Sequence, residues 1–442
     1  MAARGIRDQE HRHRRRVQGR LRAGALKGSD PIFLNELPPD RRHYTILGLT
    51  WAGWLFDFYD LILFSFLLIA IKTDLGLTDG QIALILGAGL GATAIGGVAF
   101  GWLADRIGRK PVLSITIVTY SVGTLLCGLA PGFVSLLAFR VLTGLGVGGE
   151  WATGQTLVGE TFPARMRARF AAIMQTGAPI GVGLAAIVGG FVEPVIGWRL
   201  CFILSAAPAL LVVAIRRAMP ESDVWEACPR AERAGLISHL RSDPALRRVF
   251  LLGLVLAITD MSAYWFTYLW LPKYLYDSLG FSMARSGLWI LVAQTGGLLG
   301  YLSFGVIADA RGRRVAYSLY SFVWAAGLLS VTWFWHSIAA IPALALGSMF
   351  LIGLGTGNFS GYGPILAELF PTAIRNTAMG TAYNLARGIQ FVTPLIITWV
   401  AARTGSAPER GLGYGISIGA LFAVATGLWV WTLPETKGTK IA

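Results

Sequence analysis

Charged residues are scarce in this sequence, and their scarcity argues against an ordinary soluble domain. Asp, Glu, Lys and Arg make up 14% of the 442 residues, whereas soluble domains carry about 25%. Hydrophobic residues make up 54%, and the mean hydropathy is +0.59. Because a lipid bilayer accommodates so much apolar surface, we expect a membrane protein.

Cysteine and histidine are also rare, which argues against several kinds of site. Cys127, Cys201 and Cys228 lie in or beside apolar segments without metal-ligand spacing. We interpret them as small core residues rather than as a disulfide framework or a zinc site. None of the five histidines lies deep in an apolar run, which argues against a histidine proton relay. We see no nucleotide-binding loop and no cluster of nucleophile, base and metal ligands, so we expect neither an enzyme nor a cofactor.

Long apolar runs are what the chain has instead. A helix needs about 20 mostly apolar residues to cross a bilayer. The sequence therefore predicts an all-α membrane protein with twelve spans. We place them at residues 44–71, 82–103, 112–130, 133–157, 169–192, 198–216, 248–272, 284–307, 315–335, 338–366, 378–402 and 412–433.

Polar segments divide these spans into two groups of six. The one long internal loop, residues 217–247, is polar and partly helical in pattern. We therefore predict, in chain order, a basic tail, a six-helix bundle, a linker, a second six-helix bundle and a short C-terminal tail. Their predicted ranges are 1–43, 44–216, 217–247, 248–433 and 434–442.

The net charge of +14 is distributed unevenly along the chain. With this assignment, most of the 38 Lys and Arg residues fall on the same side of the membrane as the two termini. Because such residues are enriched in cytoplasmic segments, we expect both tails and the linker to be cytoplasmic, in a cell inner membrane. The basic charge then sets orientation, and we expect no nucleic-acid partner.

Residues 1–43 differ in kind from the rest, with a basic cluster at residues 11–16 (HRHRRR). No apolar stretch follows closely enough to make a cleavable signal peptide. We expect a disordered cytoplasmic tail or a start codon placed too early, and contact with a lipid surface is the alternative.

Two motifs occur twice, at nearly the same offset. Residues 101–110 (GWLADRIGRK) are echoed by residues 305–314 (GVIADARGRR). Residues 160–167 (ETFPARMR) are echoed by residues 368–375 (ELFPTAIR). Both motifs lie at predicted cytoplasmic helix ends. The two halves are therefore parallel copies, an arrangement known in transporters that bind substrate at the midplane between the copies.

The first motif resembles the signature loop of the major facilitator superfamily, and the resemblance covers residues 44–438. Two copies at the same place in each half make the resemblance specific. It implies twelve helices in two parallel six-helix repeats that alternate in access, and charges that latch a cytoplasmic gate. The alternative is that each charge only caps a helix, and both roles can hold together. The implied gate residues are Asp105, Arg109, Glu160, Arg167, Asp309, Arg313, Glu368 and Arg375.

Shorter strings resemble particular branches of that superfamily. Residues 220–222 (PES) and 434–438 (PETKG) are similar to sugar-porter signatures. Residues 57–60 (DFYD) and 140–150 (RVLTGLGVGGE) resemble metabolite and sialate:proton symporters. The predicted seventh span, residues 248–272, lacks the paired glutamines of sugar porters, which counts against a hexose.

Ionisable side chains inside a membrane are costly, so each is a candidate for function. Asp60 lies 16 residues into the first span, or roughly 24 Å at about 1.5 Å per residue. Arg140 also falls in the outer half of the membrane, so the two can meet, and in sugar porters the matching pair couples protons. A carboxylate that gains and loses an arginine partner can take and release a proton. The alternative for Asp60 is a fixed salt bridge between helices.

Two further acids accompany this pair. Asp57 is three residues from Asp60 and lies on much the same helix face. It is predicted to be a second proton site or a substrate-facing acid, or else to have a hydrogen-bonded structural role. Glu150 lies deeper towards the cytoplasm and is a candidate for proton exit or for a structural pair.

The second half offers a candidate anion site. Arg387 in span eleven is accompanied by Tyr383, Asn384 and Gln390 at helical spacing. A guanidinium flanked by amides suits a carboxylate through two parallel hydrogen bonds. The alternative is a salt bridge between Arg387 and Asp260. Further pocket candidates are Asp260, Tyr264, Gln175 and Gln294.

We therefore expect a secondary transporter that carries a small organic anion together with a proton, works as a monomer and needs no cofactor beyond that coupling ion. A proton-coupled sugar or polyol symporter of the same fold is one alternative. A drug or metabolite exporter, in which Arg387 would be structural, is the other.

Overall fold

The computed structural model describes residues 34–229, 235–268, 271, 274–281, 283–403 and 408–439. Within these ranges the chain is helical and contains no β-strand. The basic cluster at residues 11–16 and most of the predicted N-terminal tail lie outside the described residues.

The first half is built from eight helices before the linker. A 3-10 turn, Leu34–Glu36, precedes α1, which begins after Asp40, whose carboxylate caps the first turn. The helices are α1 (Arg41–Asp74), α2 (Asp79–Ile107), α3 (Arg109–Gly128), α4 (Phe133–Thr161), α5 (Arg167–Gln175), α6 (Gly177–Ile187), α7 (Glu193–Leu204) and α8 (Leu211–Ala218). A π-helical stretch, Val188–Val192, joins α6 to α7, and a 3-10 turn, Ala207–Leu210, joins α7 to α8.

The linker and the second half follow the same plan. In the linker lie α9 (Asp223–Ala227) and α10 (Leu236–Ser242). The later helices are α11 (Pro244–Tyr268), α12 (Met283–Arg311), α13 (Arg313–Thr332), α14 (Trp335–Ile338), α15 (Pro342–Gly355), α16 (Tyr362–Leu369), α17 (Arg375–Ile389), α18 (Thr393–Arg403) and α19 (Pro408–Trp429). Short helical segments lie at Tyr274–Ser278, Thr356–Gly361, Gln390–Val392 and Val430–Thr432.

Ten stretches of the described residues are long and apolar enough to cross a membrane. The two predicted spans outside this set, 169–192 and 378–402, are each divided into shorter helices. Both divisions come one turn before a proline, Pro179 or Pro394. Because proline has no N–H to donate to the carbonyl four residues earlier, the helix is interrupted there. The twelve-span prediction is therefore consistent with the structure, with two spans broken.

Glycines let helices within each half approach closely. A Cβ on Gly96 or Gly148 would collide with backbone atoms across the α2–α4 contact. A Cβ on Gly353 or Gly300 would collide across the α12–α15 contact in the same way. Small residues of this kind allow close packing between membrane helices. Between the halves, α17 packs on α2 and α5 packs on α12, so each half contributes one helix to each contact.

Candidate functional site

The eight predicted gate residues meet at one end of the helices, and we call them the charged network. In the first half, Arg109 contacts Asp105 at 3.0 Å and Glu160 at 2.9 Å. In the second half, Arg313 contacts Asp309 at 2.9 Å and Glu368 at 2.8 Å. The repeated motifs thus build the same three-residue cluster twice.

The charged network also joins the two halves. Arg375 of the second half contacts Glu160 of the first at 2.5 Å, and Arg167 contacts Glu368 at 2.9 Å. All four side chains are almost completely buried. Crossed ion pairs of this kind hold this end of the two halves together.

The aspartates of the first motif cap helices of the opposite half. Asp105 accepts the backbone N–H groups of Asn376 and Thr377, at 3.1 and 2.8 Å, in the first turn of α17. Asp309 accepts those of Ala168 and Arg169, at 3.3 and 3.1 Å, in the first turn of α5. A carboxylate is favourable at a helix N-terminus because its charge meets unpaired N–H groups. The same hydrogen bonds therefore cap a helix and join the two halves. A gating role for these residues stays a prediction.

Two glutamates outside the network support it, and sequence reasoning noted them only as parts of signatures. The Glu221 carboxylate accepts the N–H groups of Arg109 and Lys110, both at 3.1 Å, at the start of α3. Glu435 does the same for Arg313 and Arg314, at 2.9 and 3.2 Å, at the start of α13. Glutamates at matching positions in the two halves therefore stabilise the loop of the first motif by capping the helix that follows it.

The two capping glutamates differ in their electrostatics. Burial raises the pKa of Glu221, and its backbone hydrogen bonds only partly offset that effect. Burial also acts on Glu435, but the N–H groups of Arg313, Arg314 and Lys437 outweigh it and lower the pKa. Similar geometry thus gives opposite shifts, because Glu221 is more deeply buried than Glu435, which is exposed.

Within the first half, the structure brings Asp60 and Arg140 together, as their depths along the helices predict. The guanidinium contacts the Asp60 carboxylate at 3.3 Å, and Thr124 donates a 2.5 Å hydrogen bond to the other oxygen. The Arg140 guanidinium also lies 4.5 Å from the Phe64 ring centroid. A role in proton coupling stays a prediction.

Asp57 and Glu150 are placed differently. Both side chains are completely buried, and among the described residues neither carboxylate has a hydrogen-bond partner. The Glu150 carboxylate fills the space beside Gly53, which lies one turn before Asp57 on α1. The structure thus brings Glu150 of α4 against the part of α1 that carries Asp57.

Arg387 is a buried cation with few partners. Its Nη2 donates to the Tyr383 hydroxyl at 3.3 Å, and its guanidinium lies 5.1 Å from that ring centroid. Among the described residues no carboxylate lies within salt-bridge distance of it. Asp260 instead accepts a 2.6 Å hydrogen bond from Asn358. The alternative of a salt bridge between Arg387 and Asp260 is therefore wrong for this conformation.

The other predicted neighbours on α17 contact different helices. Tyr383 stacks on Trp151 of the first half with ring centroids 3.8 Å apart. Asn384 donates to the Gly148 carbonyl at 3.1 Å, and Gln390 donates to Ser262 at 3.1 Å. Of these three residues, Tyr383 is the one that is hydrogen-bonded to Arg387. Substrate roles for the amides of Asn384 and Gln390 stay predictions.

A cavity lies between the halves and is lined by residues of both. It includes two predicted residues, Tyr264 and Gln294. The predicted Gln175 is instead part of the buried contact beneath, where its side-chain oxygen accepts from Trp151 at 3.1 Å and from Gln155 at 3.2 Å. The lining residues are Phe58, Ala178, Pro179, Val182, Tyr264, Tyr268, Gln294, Gly297, Tyr301 and Thr356.

Trp151 and Tyr301 are residues that sequence reasoning missed. Trp151 follows Glu150 directly and pairs with Tyr383 across the halves, whereas Tyr301 belongs to the cavity wall. Aromatic residues are common in apolar spans, so the amino-acid sequence does not indicate which of them face a cavity. Nothing in the sequence around Trp151 therefore indicated its contact with Tyr383.

Repeated halves that surround a cavity and meet at a charged network define a polytopic membrane transporter rather than an enzyme. The family model of the Major Facilitator Superfamily matches residues 49–380. The chain therefore belongs to the major facilitator superfamily.

Named relatives have the same general activity. The sialic acid transporter NanX of Escherichia coli is 32% identical over 373 residues, covering 83% of this chain and 89% of that protein. The cis,cis-muconate transport protein of Acinetobacter baylyi is 30% identical over 375 residues, with the same two coverages of 83% and 89%. The proton:xylose symporter XylE shares the fold, with a TM-score of 0.74 at 21% identity over 90% of this chain and 98% of that one.

Proposed function

We propose that this transporter carries a small organic anion together with a proton across a cell inner membrane. The observation that carries the proposal is Arg387, a guanidinium that is 5% exposed and has no carboxylate partner among the described residues. A buried charge without a counter-charge is costly, so a site that retains one has a reason to do so. The sialic acid and muconate transported by the named relatives are both carboxylates, which supports the same substrate class.

A carboxylate substrate would complete the hydrogen bonding of Arg387. The planar guanidinium has five N–H donors, and in the described part of the chain one of them is bonded to a side chain, that of Tyr383. Two parallel hydrogen bonds to a carboxylate would use the remaining donors in their preferred geometry.

Asp60 is the proposed coupling acid. When α1 and α4 move apart, Asp60 loses Arg140 and a proton replaces the lost counter-charge. When the pair forms again, the proton is released. Asp57 and Glu150, which have no hydrogen-bond partner among the described residues, provide further places for a proton.

The charged network marks the cytoplasmic end in this proposal, because the basic segments and both termini lie there. In this conformation its crossed pairs are formed, so the cavity is closed towards the cytoplasm. Transport then requires these pairs to break as the halves rock about the midplane, with the two six-helix bundles at 44–216 and 248–433 as the moving bodies. The chain is proposed to work as a monomer.

The test is uptake by reconstituted protein in which Arg387→Gln has been introduced. We expect uptake of organic acids to be abolished, while detergent-solubilised protein stays monodisperse and folded. Arg403→Gln is the matched control, because Arg403 is an exposed arginine that lies over Trp399 away from the cavity. Unchanged acid uptake by the Arg387 variant would contradict the proposed anion site.

A neutral sugar is the second candidate, because the sequence at 434–438 is similar to a sugar-porter signature and Glu435 supports the charged network as described above. A thermal-shift screen distinguishes the two. Stabilisation by hexoses or polyols, with none by carboxylates, would favour the sugar. An exporter would show neither a carboxylate requirement nor a dependence on Arg387.

A further inference from the structure

Three polar side chains meet inside the second half, and we call them the Asp260 cluster. The side-chain amide of Asn358 donates to the Asp260 carboxylate at 2.6 Å and to the Ser321 hydroxyl at 3.2 Å. Asp260 belongs to α11 and Ser321 to α13, and all three side chains are completely buried. None of the three lines the cavity between the halves. The cluster is therefore a separate polar site in an apolar helix bundle.

The Asp260 cluster contains a carboxylate without a counter-charge. In the part of the chain that the structure describes, no Lys, Arg or His side chain forms a salt bridge with Asp260, and its Oδ2 atom has no hydrogen-bond partner. The Oδ1 atom of Asn358 has none there either. The nearby Tyr362 hydroxyl donates to the Ala257 carbonyl, at 3.3 Å. A carboxylate buried at membrane depth is costly unless a proton or another cation neutralises it.

The matching place in the first half is built differently. Counted from the second motif, Asn358 corresponds to Glu150, and counted from the first motif, Ser321 corresponds to Ile117. In the first half the Glu150 carboxylate lies beside Gly53, where Ile117 also packs. That place has one polar side chain, whereas each of the three helices in the second half contributes one. Because the two halves share a fold, packing alone does not require the additional polar groups.

Asn358 lies where its span is interrupted. The 3-10 segment Thr356–Gly361 separates α15 from α16, whereas α4, the corresponding span of the first half, is continuous. Pro364 contributes to the interruption, because it has no N–H to donate to the Ser360 carbonyl four residues earlier. In membrane transporters, interrupted helices of this kind contribute groups that bind coupling ions. The interruption is thus a second observation that points to an ion at the Asp260 cluster.

The atoms of the cluster suit a small monovalent cation. Carboxylate, amide and hydroxyl oxygens are ligands for hard cations. The cluster has one carboxylate, and no group of three or more His, Cys, Asp or Glu side chains that could hold a metal ion occurs among the described residues. Rotation of the Asn358 amide by half a turn presents its oxygen to Asp260 and Ser321 in place of the NH2 group.

The spacing within the cluster favours sodium over potassium. The present separations of 2.6 and 3.2 Å leave little room between the three side chains. Sodium is about the size of calcium, whose oxygen ligands lie at about 2.3–2.6 Å. Potassium is larger and would force the three helices apart, which a close-packed bundle resists.

We infer that Asp260, Ser321 and Asn358 bind a sodium ion, with the Asp260 carboxylate as the charged ligand. A proton would neutralise Asp260 but would leave the Asn358 oxygen without a donor, whereas a cation is bound by oxygens from all three helices. The site goes beyond the proposed function, because it adds an ion to the proton proposed for Asp60 and does not involve Arg387. It also gives Asp260 a role in ion binding instead of substrate contact.

The test is the thermal unfolding of the purified full chain in choline chloride, with NaCl or KCl replacing choline at constant ionic strength. We expect a saturable rise in the unfolding temperature of about 2–4 °C with sodium, because a ligand that binds only the folded state stabilises it. We expect potassium to cause less than half of that rise. Binding of radioactive sodium to the same protein is measured in parallel.

Two variants assign the site. Asp260→Asn should abolish both the sodium-induced rise and sodium binding, because it removes the charge and keeps the shape. Ser321→Ala should raise the half-saturating sodium concentration about tenfold through loss of one ligand oxygen, and it repeats the test if the Asp260 variant does not fold. Ser330→Ala is the matched control, since the Ser330 hydroxyl bonds to the Ala326 carbonyl on its own helix at 2.8 Å.

Each other outcome overturns the inference. Equal unfolding temperatures in sodium, potassium and choline do so, and so does a sodium effect that survives in both Asp260→Asn and Ser321→Ala. A protein that is insensitive to sodium but stabilised at lower pH, with that stabilisation lost in Asp260→Asn, would have a proton in the cluster instead. None of these results changes the proposed function, which depends on acid uptake and Arg387→Gln, and loss of that proposal would leave sodium binding standing.

Discussion

Asp57 and Asp60 lie less than one turn apart on α1, yet their surroundings have little in common. The Asp60 carboxylate contacts the Arg140 guanidinium and the Thr124 hydroxyl, whereas Asp57 has no hydrogen-bond partner among the described residues. Positions three apart on a helix point only about 60° apart, yet that difference lets Asp60 reach Arg140 of α4 and Thr124 of α3 while Asp57 bonds to neither. Two carboxylates that look equivalent in sequence can therefore carry different parts of one transport cycle.

Replacement of Asp60 by asparagine tests coupling at the level of one residue. We expect Asp60→Asn to lose accumulation driven by a pH gradient and to keep downhill exchange, because the amide keeps the shape of the side chain but cannot exchange a proton. Uptake with and without an imposed gradient in proteoliposomes measures both. Asp74→Asn is the control, since Asp74 is an exposed acid on the same helix, paired with Arg199 at 3.2 Å. Uphill accumulation that survives in the Asp60 variant would leave this residue a structural role only.

At the scale of elements, the ends of helices carry most of the organisation. Four carboxylates each accept N–H groups in the first turn of a helix that starts within a repeated motif or at its last residue. They belong to Asp105, Asp309, Glu221 and Glu435. Because those first N–H groups have no partner within their own helix, a carboxylate there both satisfies them and joins two elements. The motifs are therefore joints between helices rather than isolated charge clusters.

The two glutamate caps should respond to pH with opposite signs. The folded-state pKa of Glu221 lies above the ordinary glutamate value of 4.5, so its ionisation costs stability as pH rises above that value. The folded-state pKa of Glu435 lies below 4.5, so its contribution is present above 4.5 and is lost as pH falls below it. Thermal unfolding in detergent should thus show Glu221→Gln gaining on the parent protein as pH rises, and Glu435→Gln falling behind it.

The same measurement carries its own control, because both variants replace glutamate by glutamine at a helix N-terminus. The stability difference between each variant and the parent should change with pH in opposite directions. A change in the same direction for both variants would show that the environments of the two caps do not differ as described.

At the scale of the whole molecule, two crossed contacts hold the halves together at one end. Helix α17 packs on α2 and α5 packs on α12, and Trp151 of the first half stacks on Tyr383 of the second. A conformational change that opens this end must break Arg375–Glu160, Arg167–Glu368 and both aspartate caps. These interactions therefore set the balance between the two conformers without touching the substrate.

Glu160→Gln should shift that balance. The substitution leaves Arg109 and Arg375 without their shared carboxylate, and removing one partner from a buried pair costs about 3–5 kcal/mol. A cysteine at Met379, whose sulfur lies 3.3 Å from Thr156 across the interface, reports the opening in a Cys228→Ser background. We expect a thiol reagent to label it at least about tenfold faster in the Glu160 variant.

Glu226→Gln serves as the comparison for labelling, because Glu226 is an exposed glutamate of α9 on the same face of the protein. Equal labelling rates in the parent and the Glu160 variant would show that the charged network does not control this opening.

Particular residues show how far prediction from sequence reached. Asp60 and Arg140 were predicted to meet because depth follows from the rise per residue, and they do lie together. The alternative partner of Arg387, Asp260, was chosen by the same argument and is wrong, since Asp260 instead binds Asn358. Depth alone does not tell which way a helix is rotated, so two groups at one level can face apart.

The sequence by itself determined that this chain is a multi-pass transporter of the major facilitator superfamily, because long apolar runs must span a membrane and two motifs recur at matching places. The tertiary structure alone decided that Asp57 and Glu150 lack hydrogen-bond partners within the described part of the chain, and that Tyr264 and Tyr268 line the cavity. It also decided that Glu221 and Glu435 hold the motif loops. The physical reason is that hydrophobicity is recorded residue by residue, whereas partners depend on the rotation and packing of helices far apart in the chain.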